Sequence, residues 1–321
     1  SPDCDVILDH SSVSWNHAEL RIISGEWQLI DLSSSNGTFV DGSQISKSIV
    51  HASSWIRIGA VVLQLKDGLV SAPHLKQGEL RLDAIGLCKT LNNGQTLLDD
   101  ISLSIYPGEI IALMGPSGAG KSVLIECLTG NRLPTSGSLT LNGRDLNNNW
   151  EEFRHNIGYV PQDDVIHRDL TVYEVLYYGA KIRLPRDIPE EKVRETVERL
   201  LTRMGLAHIK HSIIGDEKNR GISGGQRKRV NIALELLTEP HLLFLDEPTS
   251  GLDATSTLEV LNILRTLADS GKTVVMTIHQ PRVEAYKLID LLLMMGKGGK
   301  LVYFGPAHPD ATQYFGEAAE Q

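Results

Sequence analysis

The sequence has no apolar run near the roughly 20 residues that a membrane-crossing helix needs. The longest candidate, Leu288 to Met295, is interrupted by Asp290. It has no signal-peptide pattern, and it opens Ser-Pro-Asp-Cys without an initiator methionine, as expected of a piece excised from a longer protein. Cysteine is scarce: Cys4, Cys88 and Cys127 lie far apart with no C-x-x-C pair, which excludes a disulfide framework and points to reduced thiols. None of the 11 histidines forms an H-x-x-x-H pair, so a structural zinc site is not expected. Positive charge is also short, with 31 Lys+Arg against 40 Asp+Glu and a net charge of -9. That balance argues against a general nucleic-acid binder. What remains is globular: 321 residues, 41% hydrophobic and 22% charged, are enough for two domains with a sizeable core.

The most informative stretch is Gly115-Pro116-Ser117-Gly118-Ala119-Gly120-Lys121-Ser122, of the form G-x-x-x-x-G-K-S. It follows the apolar run Ile110 to Met114 and precedes the helix-like Ser122 to Leu128, with Val123 at the helix start. Strand, glycine-rich turn and helix form the context of a phosphate-binding P-loop. The glycines let backbone N–H groups turn toward an anion, and the helix N-terminus adds a positive dipole end. Lys121 is expected to reach the β- and γ-phosphates of a nucleotide, and Ser122 to place its hydroxyl on Mg²⁺.

Residues 1–70 are expected to be all-β. Short runs recur at Asp5–Leu8, Ala18–Ile23, Glu26–Ile30, Gly37–Val40, Trp55–Ile58 and Val61–Leu65, separated by turn signals such as Asn36-Gly37, Asp41-Gly42 and Asp67-Gly68. Two stretches, Val13-Ser14-Trp15-Asn16-His17-Ala18-Glu19-Leu20 and Asp31-Leu32-Ser33-Ser34-Ser35-Asn36-Gly37-Thr38, together with Ile58-Gly59, resemble forkhead-associated (FHA) domains. The resemblance implies a β-sandwich that binds phosphothreonine peptides through Ser14, Ser35 and Asn36, with His17 bracing the loops. The family's Gly-Arg pair would precede residue 1, and Trp15 stands where the family has an arginine. An arginine–phosphate contact is a strong one, so the sandwich is expected to be partial and its peptide site incomplete. A phosphopeptide site in the full protein and a purely structural sandwich both stay open.

Residues 71–78, with Pro73 and Gly78, are expected to be a linker. Residues 79–321 are expected to form an α/β domain. Alternating runs at Leu80–Ile85, Ile101–Ile105 and Leu139–Leu141 suggest an antiparallel part. Buried runs at Ile110–Met114, Ile157–Val160, Leu242–Asp246 and Thr273–Ile278 suggest a parallel core sheet. Helices are expected over Tyr173–Leu184, Pro189–Met204, Gly225–Leu237 and Ser256–Ala268, with a helical subdomain over about residues 163–235.

Leu242-Leu243-Phe244-Leu245-Asp246-Glu247 looks like a Walker B strand. Asp246 at its end can hold Mg²⁺, and Glu247 can polarise an attacking water. Ile222-Ser223-Gly224-Gly225-Gln226 matches the S-G-G-Q signature of ATP-binding cassette (ABC) proteins, and Arg227-Lys228-Arg229 behind it reads as a solvated basic run. The resemblance implies three further positions. Gln162 is the Q-loop residue touching Mg²⁺, Asp253 in Ser250-Gly251-Leu252-Asp253 belongs to a D-loop at a dimer interface, and His279 bonds the γ-phosphate. It also implies that Ser223 to Gln226 of one copy cover the ATP held by Gly115 to Ser122 of another. The family's adenine-stacking aromatic is missing, with Leu91 at its position.

Leu170 to Leu176, Arg220 to Gly225, His279-Gln280-Pro281-Arg282 and Gly299 to Ala307 resemble the G subfamily of ABC transporters. That likeness implies the ATP-hydrolysing cytoplasmic part of a half-transporter. Its partners would be a second copy and a membrane-spanning domain of the full-length chain, at the cytoplasmic face of the inner membrane, with the piece itself soluble. The FHA module would respond to a phosphothreonine protein. The alternatives are a soluble ABC ATPase without a transport role, and a phospho-binding scaffold with a weakly active cassette.

Overall fold

In a computed structural model of the chain, the described residues are 5–8, 13–23, 25–40, 43–51, 54–59, 61–66, 69–71, 80–215, 221–279 and 281–311. The turns at residues 41–42 and 67–68, residues 72–78 of the expected linker, Glu79, Cys4, Arg220 and Gln280 lie outside them, whereas Ser71, the first residue of that linker, ends a strand.

The first 71 residues carry β1 (Ala18–Ile23), β2 (Glu26–Asp31), β3 (Thr38–Val40), β4 (Ser43–Ile45), β5 (Lys47–Val50), β6 (Trp55–Ile58), β7 (Val61–Lys66) and β8 (Leu69–Ser71). They form two antiparallel sheets, ordered β1-β2-β5 and β4-β3-β6-β7-β8. Period-2 alternation turns Leu29, Val40, Val50, Ile56, Ile58 and Leu63 inward into one small core. The run Asp5–Leu8 forms no strand: Val6 and Ile7 are exposed and no ladder forms there.

From Leu80 the architecture changes. An antiparallel sheet of order β10-β9-β12-β13 uses β9 (Leu82–Thr90), β10 (Thr96–Ile105), β12 (Ser136–Leu141) and β13 (Arg144–Asp145). Its two long strands outrun the alternating runs that announce them, because register shifts between Leu98 and Leu103 break the period-2 pattern. Beside it lies a six-stranded sheet ordered β14-β15-β16-β11-β17-β18. Its members are β11 (Ile110–Met114), β14 (Ile157–Val160), β15 (Leu242–Leu245), β16 (Thr273–Thr277), β17 (Leu291–Met295) and β18 (Leu301–Pro306). The first five run parallel and β18 is antiparallel. β17 occupies the apolar stretch first weighed as a membrane run; at five residues it is a buried core strand. Among the described residues no helix is long and apolar enough to cross a membrane.

The helices are α1 (Lys121–Leu128), α2 (Trp150–Phe153), α3 (Val172–Arg183), α4 (Glu190–Arg203), α5 (Gly224–Leu236), α6 (Ala254–Asp269) and α7 (Val283–Tyr286). α3 starts at a capping box in which Thr171 accepts from the Glu174 amide while Glu174 accepts from the Thr171 amide. α4 buries Val193, Val197, Leu200 and Leu201 at three- and four-residue spacing and leaves its charged residues outside. Together α3, α4 and α5 bury their apolar sides in the core on one face of the six-stranded sheet.

Topology does the positioning. Because β14, β15, β16 and β11 are parallel neighbours, their C-terminal ends share one edge of the sheet. Ligands of open α/β sheets bind at such an edge. Gln162, Asp246, His279 and Gly115 each follow one of these ends within three residues.

Candidate nucleotide site

The P-loop geometry is enforced at three glycines. Gly115 (φ +147°), Gly118 (φ +75°) and Gly120 (φ +92°) lie where side-chain-bearing residues are strained. A Cβ on Gly115 would also meet the Met295 carbonyl oxygen at 2.4 Å, and one on Gly120 the Leu97 carbonyl oxygen at 2.4 Å. Gly120 caps α1, and Pro116, Ser117 and Gly118 are exposed at the mouth of the loop while Ala119 anchors it in the core. Lys121 is buried to 8% exposure, with Nζ donating to the Gly115 carbonyl at 2.9 Å and the Pro116 carbonyl at 3.1 Å. Ser122 is exposed beside it and Val123 packs against the core.

Two strands away, Asp246 is 6% exposed and Glu247 half-buried. Glu247 is held on both sides: His279 Nε2 lies 2.7 Å from Oε1, and Gln162 Nε2 donates to Oε2 at 3.2 Å. The imidazole therefore carries its proton on Nε2, since a carboxylate only accepts. Gln162, Glu247 and His279 thus form one cluster, with Asp246 beside it in the chain.

The donor set fits a hard cation. The Ser122 hydroxyl, the Gln162 amide carbonyl and the Asp246 carboxylate are oxygen donors of the kind Mg²⁺ takes together with substrate phosphates. Asp246 Oδ1 receives the Thr277 hydroxyl at 2.7 Å, which leaves Oδ2 for a cation.

The signature segment opens a helix of its own. Ser223 caps α5 through a capping box: its Oγ accepts from the Gln226 amide at 3.2 Å, and Gln226 Oε1 accepts from the Ser223 amide at 2.9 Å. Gly225 lets α5 meet α6, because a Cβ there would lie 2.8 Å from Ser256 Cβ. Gly224 is exposed, and a Cβ there would only touch Leu252 at 3.5 Å. Asp253 is the N-cap of α6; hydrogen bonds from the Ser256 amide and hydroxyl, then from the Thr255 amide, hold its carboxyl below the usual range. Among the described residues no hydrogen bond joins Ser223–Gln226 to Gly115–Ser122 of the same chain.

Two features are not legible in the sequence. The basic run after the signature is not solvated. Lys228 is 6% exposed and donates to the Gln162 carbonyl at 2.7 Å, while Arg229 donates to the Met204 carbonyl and pairs with Glu259. Asn231 reaches Asp164 at 2.5 Å, so α5 holds the Gln162 loop through two bonds. The other is Thr277, read only as part of an apolar strand.

In the sandwich the loop residues fold in on one another. Ser14 is 4% exposed; its amide donates to His17 Nδ1 at 2.9 Å and its Oγ accepts from the Ser35 amide at 3.0 Å. His17 Nε2 reaches the Gly37 carbonyl at 3.2 Å. Asp31 accepts from the Ser34 amide, the Ser34 hydroxyl and the Thr38 hydroxyl at 3.1, 2.6 and 2.6 Å. Ser14 and Ser35 thus meet, with half-buried Asn36 next to them.

Comparison with known proteins agrees with both halves. Residues 98–250 match the ABC transporter family and residues 1–59 the FHA domain family. An ABC transporter ATP-binding/permease protein of Mycobacterium tuberculosis is 39% identical over 308 residues, covering 95% of this chain and 35% of that protein. ABC transporter G family member 13 of Arabidopsis thaliana is 47% identical over 225 residues, covering 69% of this chain and 32% of that protein. The chain therefore spans about a third of the length of these relatives. Among solved structures, CbiO1 of Clostridium perfringens, part of the ABC transporter complex CbiONQ, superposes with a TM-score of 0.63 at 28% identity, covering 73% of this chain and 91% of that one.

Proposed function

Residues 98–250 belong to the ABC transporter family and residues 1–59 to the FHA family, and from that premise we propose that this ATPase powers a half-transporter by closing head-to-tail around ATP with a second copy of itself. Lys121 and the Gly115–Ser122 amides would hold the β- and γ-phosphates. Mg²⁺ held by Ser122, Gln162 and Asp246 would neutralise charge developing on the phosphates. Glu247 would draw a proton from the attacking water while His279 bonds the γ-phosphate, releasing ADP and phosphate. The second copy's Ser223, Gly224, Gly225 and Gln226 would cover the same phosphates, with Asp253 at the interface. Closing and opening would move a membrane-spanning domain at the cytoplasmic face of the membrane. The FHA sandwich would add phosphothreonine-dependent control through exposed Ser35 and half-buried Asn36, with buried Ser14 bracing the loop that carries them.

The observation that carries this reading is a second helix N-terminus at Ser223–Gln226, capped by its own side chains and not bonded to Gly115–Ser122 among the described residues. The P-loop edge gathers Lys121, Gln162, Glu247 and His279, whereas Ser223–Gln226 form a helix N-terminus with no bond to that edge among the described residues. A helix N-terminus suits an anion, and a second copy is the simplest source of one. Glu247→Gln keeps the shape and removes the base. Turnover is expected to fall by roughly a hundredfold or more, and ATP should convert the variant to a dimer in size-exclusion chromatography with light scattering. Wild-type turnover would sink the assignment of Glu247, and a monomer at saturating ATP would sink the head-to-tail arrangement.

A further inference from the structure

Asp246 and Glu247 have distinct tasks in the reading above, and something must fix them relative to each other. The chain offers little help locally. Glu247 has φ +47°, a left-handed conformation that costs a non-glycine residue about 1 kcal/mol or more. It lies two residues beyond the end of Leu242–Leu245, where the ladder no longer constrains it. A tie is supplied across the sheet. The parallel register pairs Leu245 with Met276, which sets Thr277 next to Asp246. Thr277 is fully buried. Its Oγ1 lies 2.6 Å from the Glu247 amide nitrogen and 2.7 Å from Asp246 Oδ1.

The direction of both bonds follows from the groups. A backbone N–H only donates, so the hydroxyl accepts from Glu247; its one proton then goes to the Asp246 carboxylate, which only accepts. One hydroxyl thus bridges the backbone of one acid and the side chain of the other. The bond to Oδ1 also selects the rotation of the Asp246 carboxylate and so the direction in which Oδ2 points. Thr277 itself is held by β16, which pairs with both β15 and β11, the strand that feeds the P-loop.

We propose that Thr277 is a positioning residue for ATP hydrolysis, aligning the cation-holding Asp246 with the water-activating Glu247 from the end of the neighbouring strand. The proposal rests on the roles given above to those two acids. Second-side-chain support of a metal ligand shifts affinity for the metal by about 10- to 100-fold when it is lost.

The test uses the whole chain with Thr277→Val, which keeps shape and β-branching but removes both bonds, and Thr277→Ser, which keeps the hydroxyl. In Thr277→Val the turnover number should fall about tenfold or more, and the Mg²⁺ concentration for half-maximal turnover should rise about tenfold. ATP affinity in EDTA should stay within about twofold of wild type, whereas the additional rise in melting temperature that Mg²⁺ gives to the ATP-bound protein should shrink. Thr277→Ser should recover turnover and the Mg²⁺ dependence to within about threefold. Wild-type turnover and Mg²⁺ dependence in Thr277→Val would overturn the proposal. So would loss of ATP affinity in EDTA as large as the loss with Mg²⁺, since that pattern marks damage to the fold. An inactive Glu247→Gln beside a fully active Thr277→Val leaves the ATP-site reading intact and removes only the role of Thr277.

Discussion

The two halves of the chain carry equally dense polar motifs and use them in opposite ways. In the sandwich, Ser14, His17, Asp31, Ser34 and Thr38 bond one another and the backbone; Ser14, His17 and Thr38 are buried. In the cassette, Gln162, Glu247 and His279 bond one another at an open edge, and the His279 side chain is 51% exposed. A buried hydrogen bond is costly to break because its partner is left unsatisfied, whereas an exposed one exchanges with water or a ligand at little cost. The sandwich motif thus braces loops, and the cassette motif presents groups that can be handed to a substrate. Lys121 sits between these regimes, with a buried stem and an ammonium resting on carbonyls of the loop it serves.

Lys121 is where binding and bracing differ most in measurable effect. If its role is to meet phosphate, Lys121→Ala removes a charge-assisted contact of about 1.5–3 kcal/mol, roughly ten- to a hundredfold in ATP affinity. Equilibrium binding of a fluorescent ATP analogue measures this, and the melting temperature without nucleotide should move little. Unchanged affinity with a large loss of stability would place Lys121 with the sandwich residues, as a brace.

How much of this was legible divides along the same line. Glycine spacing reports backbone geometry directly, so Gly115 to Ser122 could be read as a loop between strand and helix, and β11 has the expected bounds. Likeness to ABC proteins singled out Asp246, Glu247 and His279, and parallel topology brings the strand ends they follow to one edge. Partners reached across the sheet were hidden. Nothing in Thr273–Thr277 states that its last hydroxyl bridges two acids, and nothing in Arg227-Lys228-Arg229 states that the middle cation is buried against the Gln162 carbonyl. Such facts depend on register and helix rotation, which charge and hydropathy alone do not encode. The strand β17 was obscured for another reason: a short, largely buried apolar strand has no alternation to read.

A mid-sized effect sharpens the sandwich side. Asp31→Ala strips acceptors from the Ser34 amide and hydroxyl and from the buried Thr38 hydroxyl. The unsatisfied donors should cost about 3 kcal/mol, seen as a lower melting temperature in the transition that ATP does not raise. ATP hydrolysis should remain within about twofold of wild type. An unmoved transition would mean that the Asp31 bonds are replaced by water and that the loop is not braced from within.

The smallest expected effect is a pH dependence of that same transition, and it rests on His17. Burial pushes the His17 imidazolium down from its ordinary value, against the Gly37 carbonyl and Asp31, which favour the charged form. Geometry gives the same direction, because Nδ1 accepts from the Ser14 amide and would lose that bond on protonation. A depressed folded-state value means that the neutral ring stabilises the sandwich fully above about pH 6.5, the unfolded value. This contribution is lost as pH falls through the lower folded value. The ATP-insensitive transition should therefore drop between pH 7.5 and pH 5.0, chosen to bracket that value of about 6.5. His17→Gln should melt lower at the higher pH but lose most of the drop. An equal drop in His17→Gln would move the titration to another group and leave the Ser14–His17 bond as an ordinary loop contact, open to the exchange seen at the cassette edge.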